Sequence, residues 1–243
     1  MNLLLLEPGE IDANGCARIG GRRAAHLRAV LRVAVGQRLC AGIADGPLGD
    51  AEVIAVGTDV VVVRARCTAP PPAARDVLLL ALPRPKVLLR LLELAAALGF
   101  AQIELFRSWR VDKSHLGSRA LDPAVQRAHL CRGLEQAQRT LLPAVRLHAL
   151  FRPFVEDVLP TLALPAHRVC AHPDAPTATT ELQLGHGAPF ALALGPEGGL
   201  LAYEVDRLGA AGFLPVRLSP HPLRTEAALA AAHAQLDLLR SRR

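Results

Sequence analysis

The stretch Phe190-Ala191-Leu192-Ala193-Leu194-Gly195-Pro196-Glu197-Gly198-Gly199 decides how the second half of the chain is read. Pro189 to Leu194 is an apolar run of strand length, and Leu201 to Ala211 has helical spacing. Gly195 to Gly199 is then a loop at the carboxyl end of a strand. A second loop of the same kind runs Leu218-Ser219-Pro220-His221-Pro222-Leu223-Arg224-Thr225-Glu226. It joins an apolar strand, Leu214 to Leu218, to an alanine-rich helix, Thr225 to Arg240. Thr225 reads as that helix's N-cap, and Glu226 as a carboxylate suited to the positive end of the helix dipole. Open α/β sheets bind ligands beyond the carboxyl ends of their strands, so the two loops read as walls of one ligand site.

Working back from these loops, strand and helix signals alternate. Val77 to Leu82 reads as a strand. Pro85 to Leu98 reads as a helix, with proline in its first turn and Gly99 just past its end. Ala101 to Phe106 is a strand again, which makes a βαβ unit with parallel pairing. A helix from Pro123 to about Thr140 follows, then a strand at Val145 to His148, a short helix at Pro153 to Leu159 and a strand at Arg168 to His172. The first seventy residues have another rhythm. Leu3 to Leu6, Gln37 to Ala41, Asp50 to Val56 and Asp59 to Ala65 are candidate strands, and Arg22 to Leu31 a helix, the pattern of a small β-barrel. A proline cluster, Pro70-Pro71-Pro72, separates the two halves. The reading is residues 1–69 as a barrel domain, 70–75 as a stiff linker and 76–243 as an α/β domain.

Composition narrows the classes. Hydrophobic residues are 51% of the 243, ample for a core, and aromatics only 3%, which predicts a core of Leu, Val and Ala. The net charge of +6 favours an anionic partner such as nucleic acid. It is nearly all arginine; the two lysines are Lys86 and Lys113. Five dispersed cysteines, without a C-x-x-C pair, argue against a disulfide framework or a zinc site and suit a reducing cytosol. No stretch reaches the roughly 18 apolar residues of a membrane span. The expectation is a cytoplasmic protein with no membrane and no metal.

The loop chemistry narrows the ligand. Neither Gly-Lys-Ser/Thr nor a G-x-G-x-x-G after the first strand is present, and Glu197 would repel a phosphate. A ligand without phosphate and with some positive charge fits better, and S-adenosylmethionine has both properties. The same spacing also suits a plain strand-to-helix turn. Arg224, unfavourable at a positive helix end, calls for an anionic partner such as Glu197, Glu226 or RNA.

Gly195-Pro196-Glu197-Gly198-Gly199-Leu200-Leu201-Ala202-Tyr203-Glu204-Val205, followed by Leu218 to Leu229, resembles the C-terminal motifs of the RsmE family. These are uracil-N3 methyltransferases of small-subunit (16S) ribosomal RNA, of the SPOUT class. Upstream blocks are similar in the same order: Arg84-Pro85-Lys86, Ser108 to Ser114, Leu134-Glu135-Gln136-Ala137 with Arg139, and Ala171-His172-Pro173. His26 to Arg32 with Val35-Gly36-Gln37 resembles the family's PUA-like RNA-binding module.

The resemblance implies a SPOUT-type α/β domain, with a trefoil knot within about residues 167–243, preceded by a PUA-like barrel. It implies a homodimer acting on 16S rRNA or the small ribosomal subunit, with S-adenosylmethionine as cofactor. Carried over residue by residue, it puts Leu194, Gly195, Glu197, Gly198, Gly199, Leu218, Ser219, Leu223, Arg224, Thr225, His172 and Pro173 around the cofactor. Arg224 or Arg139 would stabilise a uracil anion, and Glu197, Glu135 or Glu226 would accept the N3 proton. Arg22, Arg23, His26, Arg28 and Arg32 would hold RNA. The chain departs from the family pattern at Ser219 for glycine, His221 for arginine, Pro222 for isoleucine and Ala227 for threonine. Leu201 stands in place of a capping serine, which costs about 1 kcal/mol of helix stability. Two other functions share these features: a SPOUT methyltransferase for another RNA, and a non-catalytic RNA-binding relative.

Overall fold

The structure is a computed structural model and describes residues 2–242; Met1 and Arg243, the ends of the two expected domains, lie outside the described residues. The chain divides into two compact units. The first is Met1–Ala73 with Leu130–Leu142, and the second Ala74–His129 with Pro143–Arg243. The sequence reading cut the chain once; here a later segment joins the first unit. The reason is local bonding: Asn2 N and Leu3 N donate to Glu135 O, Thr140 Oγ1 donates to Gly46 O, and Leu142 N donates to Asp45 Oδ1.

The first unit is a five-stranded sheet with one helix. Its strands are β1 (Leu4–Leu6), β2 (Cys16–Ile19), β3 (Arg38–Ile43), β4 (Leu48–Val56) and β5 (Val61–Ala69), in the order β1-β3-β4-β5-β2. Helix α1 (Gly21–Ala29) follows β2. Two register shifts bend the β4–β5 pair, one of them at Gly49, where a Cβ would lie 2.0 Å from Arg66 O. An Ile11↔Ala17 bridge joins the chain after β1 to β2, at the opposite edge, so the sheet curls as a barrel does. The core is aliphatic, including Leu4, Leu6, Ile19, Leu27, Val53, Val61 and Val63. The short β2 escaped the sequence reading because turn-forming residues, Asp12 to Gly15, lead into it.

The second unit is a seven-stranded sheet. Its strands are β6 (Asp76–Ala81), β7 (Phe100–Phe106), β8 (Ala144–His148), β9 (His167–Ala171), β10 (Thr177–Ala178), β11 (Phe190–Leu194) and β12 (Leu214–Arg217). Every pair is parallel and the order is β10-β12-β9-β11-β6-β7-β8. β6 and β11 lie centrally and are buried at every position, which explains their unbroken apolar runs. The helices are α2 (Pro85–Leu98), α3 (Pro123–Ala137, which from Leu130 onward belongs to the first unit), α4 (Phe151–Pro153, running on through a π turn Phe154–Val158 and a 3-10 turn Leu159–Thr161), α5 (Ala202–Ala210) and α6 (Thr225–Ser241). α2 has Pro85 at its start, and Gly99, at φ 86°, takes the left-handed conformation that ends it.

Three expectations are corrected. α3 stops at Ala137 rather than Thr140, because Gln138 turns left-handed at φ 54° and Arg139 N bonds back to Leu134 O. The N-cap of α6 is Arg224; Thr225 is its first helical residue and is buried. The core is not free of aromatics: all six phenylalanines are buried, and all belong to the second unit. Phe106 stacks on Phe154, and Phe100 and Phe190 meet edge to face. α6 is tied down at its far end by Arg240, which donates twice to buried Asp76, whose Oδ1 also accepts Phe190 N.

Cys170 on β9 is fully buried, and burial pushes its thiol up to about 12. Since the thiolate is the reactive form, a native sample treated briefly with a thiol reagent near neutral pH should label exposed Cys40 and spare Cys170. Rapid native-state labelling of Cys170 would contradict the burial of β9.

Candidate active site

The strands β9, β11, β12 and β6 are parallel, so their carboxyl ends share one edge of the sheet. The chain leaves β6 in one direction, through β7 and β8, and returns on the other side through β9 and β11. Such reversals leave a crevice at the strand ends. There the second unit has a cavity of ≈ 690 Å³, within the range of small-molecule sites. Three loops wall it: Ala171–Pro176 after β9, Leu194–Leu200 after β11 and Leu218–Leu223 after β12.

The β11 loop is held by its glycines. Gly199 N donates to Pro196 O, and Gly199 sits at φ 71°, where a side chain is strained. A Cβ on Gly195 would lie 3.2 Å from Leu200 N and from Leu200 Cγ. From the other side, Arg84 N donates to Glu197 Oε1 at 3.1 Å, and the Arg110 guanidinium donates to Gly198 O. Beyond this loop, Leu201 caps α5 with no side-chain hydrogen bond; the Glu204 carboxylate takes over by accepting Leu201 N at 2.9 Å. In the β9 loop, His172 N bonds to Val216 O on β12, and Asp174 N donates to His172 Nδ1 at 3.3 Å. In the β12 loop, Ser219 Oγ accepts His221 N at 3.2 Å, so the serine in place of glycine braces its own loop.

Eleven of the twelve cofactor residues named from sequence line this cavity: His172, Pro173, Leu194, Gly195, Glu197, Gly198, Gly199, Leu218, Ser219, Leu223 and Thr225. Arg224 does not line it but stands between two residues that do. It is exposed; its backbone O accepts Ala228 N, and among the described residues its side chain forms no hydrogen bond or ion pair. Its suggested partner Glu226 is instead held by Arg90, at 2.7 Å, and the hydrogen bond from Arg90 keeps that carboxyl below the usual range. Arg139 and Glu135 belong to the first unit, where buried Glu135 pairs with Arg22 at 2.7 Å.

Sequence reasoning passed over Arg110, Asp174 and Asp206, which also line the cavity. Arg110 stood inside a quoted block, and Asp174 directly follows His172-Pro173; nothing in the pattern of α5 marked Asp206. Of the residues read as holding RNA, Arg22 is engaged by Glu135, and Arg23 by Glu10 and by Leu5 O. Burial alone raises the Glu10 carboxyl, but hydrogen bonds from Arg23 and Glu7 N outweigh it and hold it below its ordinary value. Arg28 donates to Ala24 O, His26 is half-buried, and Arg32 is exposed. Among the described residues no group of three His, Cys, Asp or Glu side chains could hold a metal, and no helix is long and apolar enough to cross a membrane.

Residues 71–237 match the family model of the RNA methyltransferase domain. The ribosomal RNA small subunit methyltransferase E of Treponema pallidum (strain Nichols) is 31% identical over 242 residues, which cover 96% of this chain and 90% of that protein. Its namesake from Mycobacterium bovis is 26% identical over 237 residues, covering 95% and 89%. Among solved structures, the ribosomal RNA small subunit methyltransferase E of Neisseria gonorrhoeae bound to S-adenosyl methionine superposes with a TM-score of 0.73 at 19% identity, covering 98% of each chain. A probable rRNA-methyltransferase from Porphyromonas gingivalis gives 0.73 at 20% identity, again over 98% of each. These two likenesses speak for the fold.

Proposed function

Because the chain belongs to the ribosomal RNA small subunit methyltransferase E family, we propose that it methylates N3 of one uridine in 16S rRNA, with S-adenosylmethionine as donor. The observation that carries this reading is the convergence of three strand-end loops on one cavity whose three carboxylates outnumber its single arginine, Arg110. Glu197, Asp174 and Asp206 supply carboxylates, Leu194, Leu200, Leu218 and Leu223 apolar surface, and Gly195 to Gly199 open backbone. That set fits S-adenosylmethionine, which has a sulfonium, an ammonium and an adenine ring. Three carboxylates against one arginine disfavour a nucleotide phosphate there.

When bound, the cofactor supplies an electrophilic methyl group. The chain's own residues position the partners and handle the proton. Uracil N3 carries a hydrogen that must leave before the nitrogen can attack. Glu197 suits the role of acceptor: Oε1 is oriented by Arg84 N, and the exposed carboxylate keeps capacity for a proton. Arg224 suits the role of anion stabiliser, since it is charged, exposed and beside the cavity. Arg139, in the first unit on the segment after α3, is the alternative stabiliser. N3 is on the Watson–Crick edge, so the target base has to be unpaired. The first unit, with its curled sheet and exposed Arg32, is assigned to RNA as a PUA-like module, and residues 76–243 to catalysis. A trefoil knot over about 167–243, a homodimer and work in the cytosol complete the reading.

Titration calorimetry with S-adenosylmethionine tests it. Saturable binding, lost when Glu197 and Asp206 are both replaced by alanine, is expected. A folded protein that takes up no cofactor at millimolar concentration would favour the non-catalytic RNA-binding reading.

A further inference from the structure

The chain has one tryptophan, Trp109, and this residue is 82% exposed. A large aromatic ring left in water is unusual unless it meets something. The ring is not on a floppy segment. Ser108, on its N-terminal side, is fully buried and donates from Oγ to Glu204 Oε2 at 2.9 Å; Trp109 N donates to Glu204 Oε1 at 2.9 Å. Glu204 is itself buried, 1% exposed, and its Oε2 also accepts Leu201 N. One carboxylate thus fastens the Trp109 backbone to the start of α5. On the other side, Arg110 lines the cavity and donates to Gly198 O, and Val111 N closes a turn onto Ser108 O. The backbone is clamped at both ends and the indole is turned outward.

The surroundings are cationic. β6 and β7 are parallel neighbours, with Ala81 paired to Phe106, so the loops that follow them leave from the same edge. The first holds exposed Arg84 and leads into α2, where Lys86 is exposed; the second holds exposed Arg110 and Lys113, with exposed Asp112 between them, so both lysines of the chain are here. An exposed aromatic face on a hydrogen-bonded backbone, with exposed cations on the same two segments and beside a cavity assigned to methyl transfer, has the two elements that single-stranded nucleic acid requires: a stacking surface and charge for the backbone. Trp109 is not among the residues lining the cavity, so the base it meets is not the one inside.

We propose that Trp109 is a stacking platform for an unpaired base flanking the target nucleotide of the RNA substrate, a positioning residue held in place by Glu204. The proposal rests on the reading of the chain as an RNA methyltransferase, but its test needs no cofactor. Because Trp109 is the sole tryptophan, intrinsic emission reports it directly. Titrating the full-length protein with a single-stranded oligouridylate of about ten nucleotides should quench that emission, and a duplex of equal length should not. Trp109→Ala should weaken oligonucleotide binding, read by anisotropy, about 5- to 150-fold, and Trp109→Phe should recover most of it. In methylation assays the Ala variant should raise KM for RNA and leave S-adenosylmethionine affinity unchanged. The proposal falls if no oligonucleotide binds, if a saturating one leaves the emission unaltered, or if Trp109→Ala binds as the parent does. It falls equally if emission shifts with protein concentration alone, since a second copy would then cover the ring. Loss of cofactor binding by the parent protein would instead count against the methyltransferase reading.

Discussion

Gly199→Val is expected to weaken S-adenosylmethionine binding about 10- to 100-fold while the protein stays folded. The residue sits at φ 71°, a conformation β-branched side chains avoid at a cost of about 1–3 kcal/mol. The loop can relieve that strain only by giving up the Pro196–Gly199 turn, and with it the course of Glu197 and Gly198 along the cavity wall. The sheet beneath is unaffected, because β11 ends at Leu194 and is buried throughout. Calorimetry and circular dichroism separate the two effects. Cofactor affinity equal to the parent's would show that the loop conformation is unimportant to the pocket.

Arg224→Ala should lower methyl transfer about 100- to 1,000-fold, the usual loss when a preorganised stabiliser of developing charge is removed. Cofactor affinity should change little, since Arg224 is beside the cavity and not in its wall. Stability should also hold. The side chain is exposed, and the end of α6 is anchored elsewhere, by Glu226 to Arg90 and by Arg240 to Asp76. A lysine at 224 should restore part of the rate, because it keeps the charge but not the planar fork of donors. A variant with full activity would remove Arg224 from the mechanism.

Much of this was legible in the residues. The helix Pro85–Leu98 was readable to the residue and the strand Phe190–Leu194 to within one, because proline and glycine punctuate them sharply. So were the two loops, because glycine and proline runs between apolar segments have few other uses. What sequence could not supply was pairing. Nothing in the chain says that β11 lies between β6 and β9, and so nothing says that the β9 loop closes the cavity; that came from resemblance alone. Side-chain partners were equally hidden. Arg22 and Arg23 read as a basic helix face, yet each has a carboxylate distant in sequence, Glu135 and Glu10. Glu226 read as a partner for its neighbour Arg224, yet it bonds to Arg90 on α2. Helix ends set by a left-handed glutamine, as at Gln138, carry no compositional mark.

The central claim is a methyl transferred to one nitrogen, and it is tested by incubating the purified protein with S-adenosylmethionine carrying a labelled methyl group and unmethylated small ribosomal subunits. Mass spectrometry of the digested 16S rRNA, with primer extension to locate the site, should find label in N3-methyluridine at a single position. Label on another atom or another RNA, or no label from a protein that binds the cofactor, would contradict the account.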